Sequence, residues 1–330
     1  MNLKNFLLTA VSRLTSGFTS KHNRVPLPSW NETPVKQQLL DFLFVEAEKI
    51  PIEDRIAVFD MDGTLVCERP FGIETVVSVH RLLDQGKTNP KVRETIEYQY
   101  AEKIYDNPHD TFVRKNRMVN GRDVLSDLIM KPFDGADCEE YITYARHCLN
   151  TAVNADYGLR YGDMFYQPML ELIDLLKERQ FQVFVISASM QGIVWSICPE
   201  NVGLDRHHLI GIRHAKQVSF TADGRLSYII KDMVMEPVND YKGKAVNIYD
   251  HIGKIPVVAV GNTYSDFGMF KMTSCNPYPN LSLMLNHDDA DREYVYSPTH
   301  GRNMNWQDTL RQNKWLQADM SNEFKVVWKN

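Results

Sequence analysis

Three short runs, Ile56-Ala57-Val58-Phe59, Phe181-Gln182-Val183-Phe184-Val185-Ile186 and Ile255-Pro256-Val257-Val258-Ala259-Val260, are almost wholly apolar and then stop at small or acidic polar residues. A strand that is apolar on both faces has to be covered on both, the condition of a parallel sheet sandwiched between helices. Segments of helical periodicity lie between the runs, so the chain is expected to fold as an α/β protein.

The intervening segments refine this. Thr33 can cap a helix in which Val35, Leu39, Leu40, Leu43 and Ala47 share a face, and Pro51 ends it before the first strand. Residues 71–165 read as polar helices, which makes them a long insertion after the first strand. A helix follows in QPMLELIDLLKERQ, then a strand ending at Ser187, another at 209–213, and a hairpin turning at Asp223-Gly224. The expected organisation is an N-terminal arm and helix (1–50), an α/β core (51–70 and 166–330) and a helical insertion (71–165).

A net charge of −5 provides no basic field for nucleic acid or an anionic membrane, so neither is an expected partner. The five cysteines form no CxxC pair, which argues for reduced thiols rather than a zinc site or a disulfide framework. No apolar run reaches the length of a membrane span. Arg13 interrupts the short N-terminal apolar stretch, which resembles an amphipathic arm more than a signal peptide, so a cytoplasmic location is expected.

Ligands of open α/β sheets bind beyond the carboxyl ends of the strands. There this chain places Asp60-Met61-Asp62-Gly63-Thr64, then Ser187, then Gly261-Asn262-Thr263-Tyr264-Ser265-Asp266, with Lys242 and Lys244 opening the preceding helix. In order and spacing these resemble the four motifs of the haloacid-dehalogenase-like (HAD) phosphatase superfamily. The helical insertion is similar to the cap of its phosphoserine-phosphatase-like branch. The flanks LPSWNETPVKQQLLDF and HDDADREYVY resemble a bacterial group of that branch.

The resemblance implies a Rossmann-like core under a helical cap, and a Mg²⁺-dependent phosphomonoesterase. Asp60 would attack phosphorus to form an aspartyl-phosphate. Asp62 would protonate the leaving oxygen and later deprotonate water. Lys244, with Lys242 as a rival, would offset negative charge. Gly63, Thr64, Ser187 and Ala188 would hold the phosphoryl group, and Glu68 and Arg69 would read the leaving group. Asp60, the Asp62 carbonyl, Asp266 and Asn262 would hold the metal, although Asn262 stands where an aspartate is common. Met61 speaks against the related ATPase pumps, and Asp62 against a dehalogenase.

Other polar clusters have plainer readings. Arg114, Lys115 and Arg117 read as a solvated helix face rather than an anion contact. The histidines lack metal-ligand spacing, and His287-Asp288-Asp289 reads as a helix start or salt-bridged surface loop. The expected substrate is a small phosphorylated metabolite: an amino-acid, amino-alcohol or sugar phosphate. A phosphoprotein phosphatase and a non-catalytic binding protein on the same scaffold are the alternatives.

Overall fold

The computed structural model describes residues 25–299 and 301–329. The expected N-terminal arm falls mostly outside them. In the helix that follows, Thr33 accepts a hydrogen bond from the Lys36 N–H at 3.2 Å, capping Pro34–Asp41 (α1). Pro34 at the first helical position needs no N–H partner there.

The first apolar run forms strand Ile56–Phe59 (β1), buried throughout. It is followed by Gln182–Met190 (β2), Leu209–Ile212 (β3), the antiparallel pair His214–Phe220 (β4) and Leu226–Val234 (β5), then Val258–Gly261 (β6), Leu281–Asn286 (β7) and Leu316–Asp319 (β8). The parallel sheet has the order β8-β7-β6-β1-β2-β3. Alternate residues face opposite layers. Ala57 and Phe59 pack with Leu172, Leu176 and Ile193, whereas Ile56 and Val58 pack with Ile248, Met269 and Phe270. Both faces are therefore covered, as the apolar runs required.

Phe59 pairs with Val260 on one side and Val185 on the other, so the ends of β1, β6 and β2 lie side by side. This register brings the polar strand ends together. One expectation fails here: β2 does not end at Ser187 but runs on to Met190, with an irregular register against β3 beyond Ile186. The β4–β5 hairpin turns as expected, with Gly224 at φ +81°.

Between β1 and β2 lie helices Ile73–Thr88 (α2), Ile96–Asp106 (α3), Val124–Met130 (α4) and Cys138–Leu149 (α5). α2, α3 and α4 share an apolar cluster with Leu82, Tyr98, Ile104 and Leu128 that is separate from the sheet's two layers, whereas Tyr141, Ala145 and Leu149 of α5 join the layer of Ala57 and Phe59. Helices Gln167–Glu178 (α6), Gln191–Val202 (α7), Lys242–Ile252 (α8), Phe267–Thr273 (α9) and Trp306–Asn313 (α10) follow. All five cysteines are free thiols, three of them buried. Among the described residues no helix is long and apolar enough to cross a membrane.

Candidate active site

Beyond β1 the chain winds into a tight loop. The Asp60 N–H still donates to Val260 O at 2.9 Å, continuing the sheet. The N–H groups of Leu65 and Val66 then return to Met61 O. Gly63 has φ +70°, and a Cβ there would collide with the Asn262 amide, the Tyr296 hydroxyl and the Glu68 carboxylate. Glycine is required here both by backbone conformation and by space. Met61 is fully buried and turned to Cys198, so it anchors the loop between the two aspartates.

Lys244, from α8, is fully buried and reaches Oδ1 of Asp60 and Oδ1 of Asp266, each at 2.6 Å. Lys242 is exposed and stays outside this cluster. Asp266 is held on its other side too: Oδ2 accepts from the Asn262 and Thr263 N–H groups at 2.9 and 3.1 Å. One ammonium thus serves two buried carboxylates. Burial opposes the ammonium's charge, but Asp266 and Asp60 together raise its pKa. Burial, then the Asp266 charge, push Asp60 well above the ordinary carboxylate range, against the pull of Lys244. Oδ2 of Asp60 is left with a single long hydrogen bond from Thr64 Oγ1, at 3.3 Å.

Asp62 has a different setting. Its Oδ2 accepts from Ser189 Oγ at 2.8 Å and Ser187 Oγ at 3.2 Å. Its Oδ1 is buried without a hydrogen-bond partner. Burial raises its pKa to about 6 although the Ser189 bond opposes the rise. Ser187, expected to face a phosphoryl oxygen, is instead turned to Asp62 and also accepts the Ser189 N–H at 2.9 Å. Ser189 was not anticipated. The Ser-Ala-Ser pattern could have pointed to it had β2 been read to its true end, since residues two apart on a strand share a face.

Asp60 and Asp62 open on a cavity of about 510 Å³, whose wall includes Glu68, Ala188, Asn262 and Tyr241. Ser187 and Lys244 act on the aspartates from behind that wall. Asn262 turns its amide nitrogen to Glu68 Oε1 and Tyr296 Oη, both at 3.1 Å. The structure separates Glu68 from Arg69, which lines a neighbouring cavity. Arg117 is exposed, as read, and paired with Asp123, and it also lines this cavity. Glu74 is a second residue the sequence did not single out. It opens α2, accepts the Met190 N–H at 3.0 Å, and has its pKa raised to about 7 by burial and by Asp62.

His287 corrects the surface-loop reading. It is buried; its Nε2 lies 2.6 Å from Gly63 O and its Nδ1 lies 2.9 Å from Glu293 Oε2. Glu293 Oε1 also accepts from Tyr166 Oη at 2.9 Å. Asp288 and Asp289 do make the expected polar contacts, with Ser321 and Arg292. Among the described residues no three His, Cys, Asp or Glu side chains form a ready metal cage.

Residues 57–271 match the model of a family described as haloacid dehalogenase-like hydrolase. No curated protein matches the sequence. Solved structures similar to the chain include the following three. A conserved protein of unknown function from Anaerococcus prevotii DSM 20548 has 15% identity and a TM-score of 0.51, over 84% of this chain and 88% of that one. A protein of unknown function from Bordetella pertussis Tohama I has 11% identity and a TM-score of 0.48, over 81% and 98%. A HAD family hydrolase from Salmonella enterica serovar Typhi has 12% identity and a TM-score of 0.40, over 89% and 90%. The first likeness bears on the fold alone.

Proposed function

The chain belongs to the haloacid dehalogenase-like hydrolase family, and on that premise we propose that it hydrolyses phosphomonoesters through an aspartyl-phosphate on Asp60. The core would be residues 51–70 and 166–330, preceded by the arm and helix of 1–50, with 71–165 as the cap over the cavity. The observation that carries the reading is Lys244 bridging Asp60 and Asp266 at 2.6 Å while Asp62, on the same loop, stands apart in its own hydrogen-bonded setting.

In this reading Lys244 holds Asp60 Oδ1, leaving Oδ2 to attack phosphorus as the ester oxygen departs. Asp62, with a pKa of about 6, delivers its proton to that oxygen. Ionised, it then takes a proton from the water that cleaves the aspartyl-phosphate, which returns Asp60 as a carboxylate and Asp62 as the protonated acid. Ser187 and Ser189 hold Asp62 Oδ2, so the unpartnered Oδ1 is the atom that moves the proton. Thr64 orients Asp60.

The donor set fits Mg²⁺. The oxygens are hard ligands, the buried Asp60 and Asp266 share a single ammonium, and Mg²⁺ typically takes only one or two protein carboxylates alongside water and phosphate. Asp60, the Asp62 carbonyl and Asn262 would hold it; Asp266, expected among the ligands, has both oxygens engaged and would instead fix Lys244 and the loop behind them. When bound, the ion supplies the positive charge that lets an anionic phosphate approach an anionic nucleophile.

A cavity of about 510 Å³ under helices favours a small phosphorylated metabolite over a protein side chain. The test is hydrolysis of an aryl phosphate with Mg²⁺ and with chelator, for the wild-type protein and Asp60→Asn. Metal-dependent turnover abolished by the substitution is expected. Turnover that survives Asp60→Asn, or none at all, overturns the reading.

A further inference from the structure

Beside the catalytic cavity lies a second one of about 260 Å³, with Arg69 and Arg114 in its lining. Its other lining groups include His109, Asp110, Tyr294 and Tyr296. The negative charge nearby is largely engaged. Asp156 binds His109 and the Tyr294 hydroxyl, and Asp110 Oδ1 accepts the Phe112 N–H at 2.9 Å. Among the described residues Arg114 has no ion pair, and the nearest carboxylate to Arg69 is Glu68, at 4.0 Å.

Each guanidinium is held by a ring rather than by an acid. Arg69 lies over Tyr296, 4.1 Å from the ring centroid, and Arg114 lies over Phe71 at 4.5 Å. Stacking orients a guanidinium while leaving donors on its edge free. Arg69 Nε is buried with no hydrogen-bond partner, an arrangement costly without an acceptor. Arg114 also donates to the carbonyl of Pro70, which ties the helical insertion to the segment leaving the catalytic loop.

We propose that the cavity between Arg69 and Arg114 is an oxyanion site, separate from the catalytic one, that takes a carboxylate or a phosphate. Two guanidinium forks match the paired oxygens of such groups. An anion there meets two guanidinium groups that no carboxylate among the described residues approaches closer than 4.0 Å. The site also lies against the catalytic wall, because Tyr296, under Arg69, contacts Asn262 through its hydroxyl at 3.1 Å. The oxyanion can be a second group on the substrate or a free ion, and the chemistry of recognition is the same.

Binding does not depend on turnover, so it is tested by calorimetry with inorganic phosphate on the full chain. Wild-type protein, Arg114→Gln and Arg114→Lys are compared, with melting temperatures to confirm that each folds. Wild type should bind phosphate at two sites, and Arg114→Gln should weaken one of them about tenfold, the effect of one charge-assisted hydrogen bond. Arg114→Lys, which keeps the charge but not the fork, should fall between. A second arm compares KM for phenyl phosphate and 4-carboxyphenyl phosphate. A rise in Arg114→Gln for the carboxylated ester alone assigns the site to the substrate. Lost phosphate binding with no such discrimination assigns it to a free ion. A folded Arg114→Gln that binds phosphate as wild type does and treats both esters alike overturns the proposal, whatever the fate of the phosphatase reading.

Discussion

The Lys244 ammonium sits 2.6 Å from Asp60 Oδ1; it is fully buried, while Asp60 keeps a small opening to the cavity. Removing the cation strands two carboxylates in the interior, a defect that typically costs about 3–5 kcal/mol. Lys244→Ala is therefore expected to lower the urea midpoint sharply and to reduce kcat at least about 100-fold, the scale of losing one preorganised charge at the reacting centre. Lys242→Ala should change neither, because that side chain is exposed. Equal effects of the two substitutions would assign the role wrongly.

Glu74 makes stability depend on pH. Its folded pKa of about 7 stands above the ordinary 4.5, so the fold holds the proton more tightly than the unfolded chain does. Its contribution is complete below 4.5 and fades as pH rises through about 7, where a buried carboxylate has to form. Glu74→Gln keeps an acceptor for the Met190 N–H but cannot ionise. Relative to wild type it should gain about 2 kcal/mol between pH 5 and pH 8. Urea melts at those two pH values measure the difference, and a constant gap would refute the assignment.

The Ser189 hydroxyl favours the ionised form of Asp62, whose pKa is about 6. Without it the proton is held more firmly. If Asp62 is the proton donor, Ser189→Ala should move the alkaline limb of the kcat profile upward by about 0.7 unit, equivalent to one hydrogen bond of about 1 kcal/mol. A limb that stays in place would mean that another group donates the proton.

These predictions mark where the sequence is informative. The apolar runs announced β1, β2 and β6 because each is short, rich in β-branched and aromatic residues and ends at a polar or glycine residue, which sets it apart from a buried helix. Asp60, Asp62 and Asp266 were visible because they follow those strand ends, and Lys244 because it opens the helix before β6 in the order of the motifs. Strands β7 and β8 were not singled out: β8 is an edge strand only partly buried, and β7 follows a loop dense in Asn and Pro. Ser189 was hidden by an assumed strand end. Glu74 and His287 lie 11 and more than 220 residues beyond Gly63 and meet the site only through the fold. Local patterns do not encode such contacts.

His287 carries the last prediction. Its two ring nitrogens face acceptors on separate elements, Gly63 O at 2.6 Å and Glu293 Oε2 at 2.9 Å, and its ring stacks on Tyr296 at 4.3 Å. It therefore clamps the carbonyl of the glycine that shapes the Asp60–Thr64 loop to the segment after β7. His287→Ala would leave that carbonyl and one Glu293 oxygen buried without their partner and open a void, at a cost of about 2–4 kcal/mol. The loosened loop would misplace Asp60 against the substrate, and displacements near 1 Å can cost about 100-fold in rate. Glu293→Gln can still accept from Tyr166 and should retain more stability than His287→Ala. Thermal melts and kcat for the two variants test the clamp. If His287→Ala melts and turns over like wild type, the histidine only fills space.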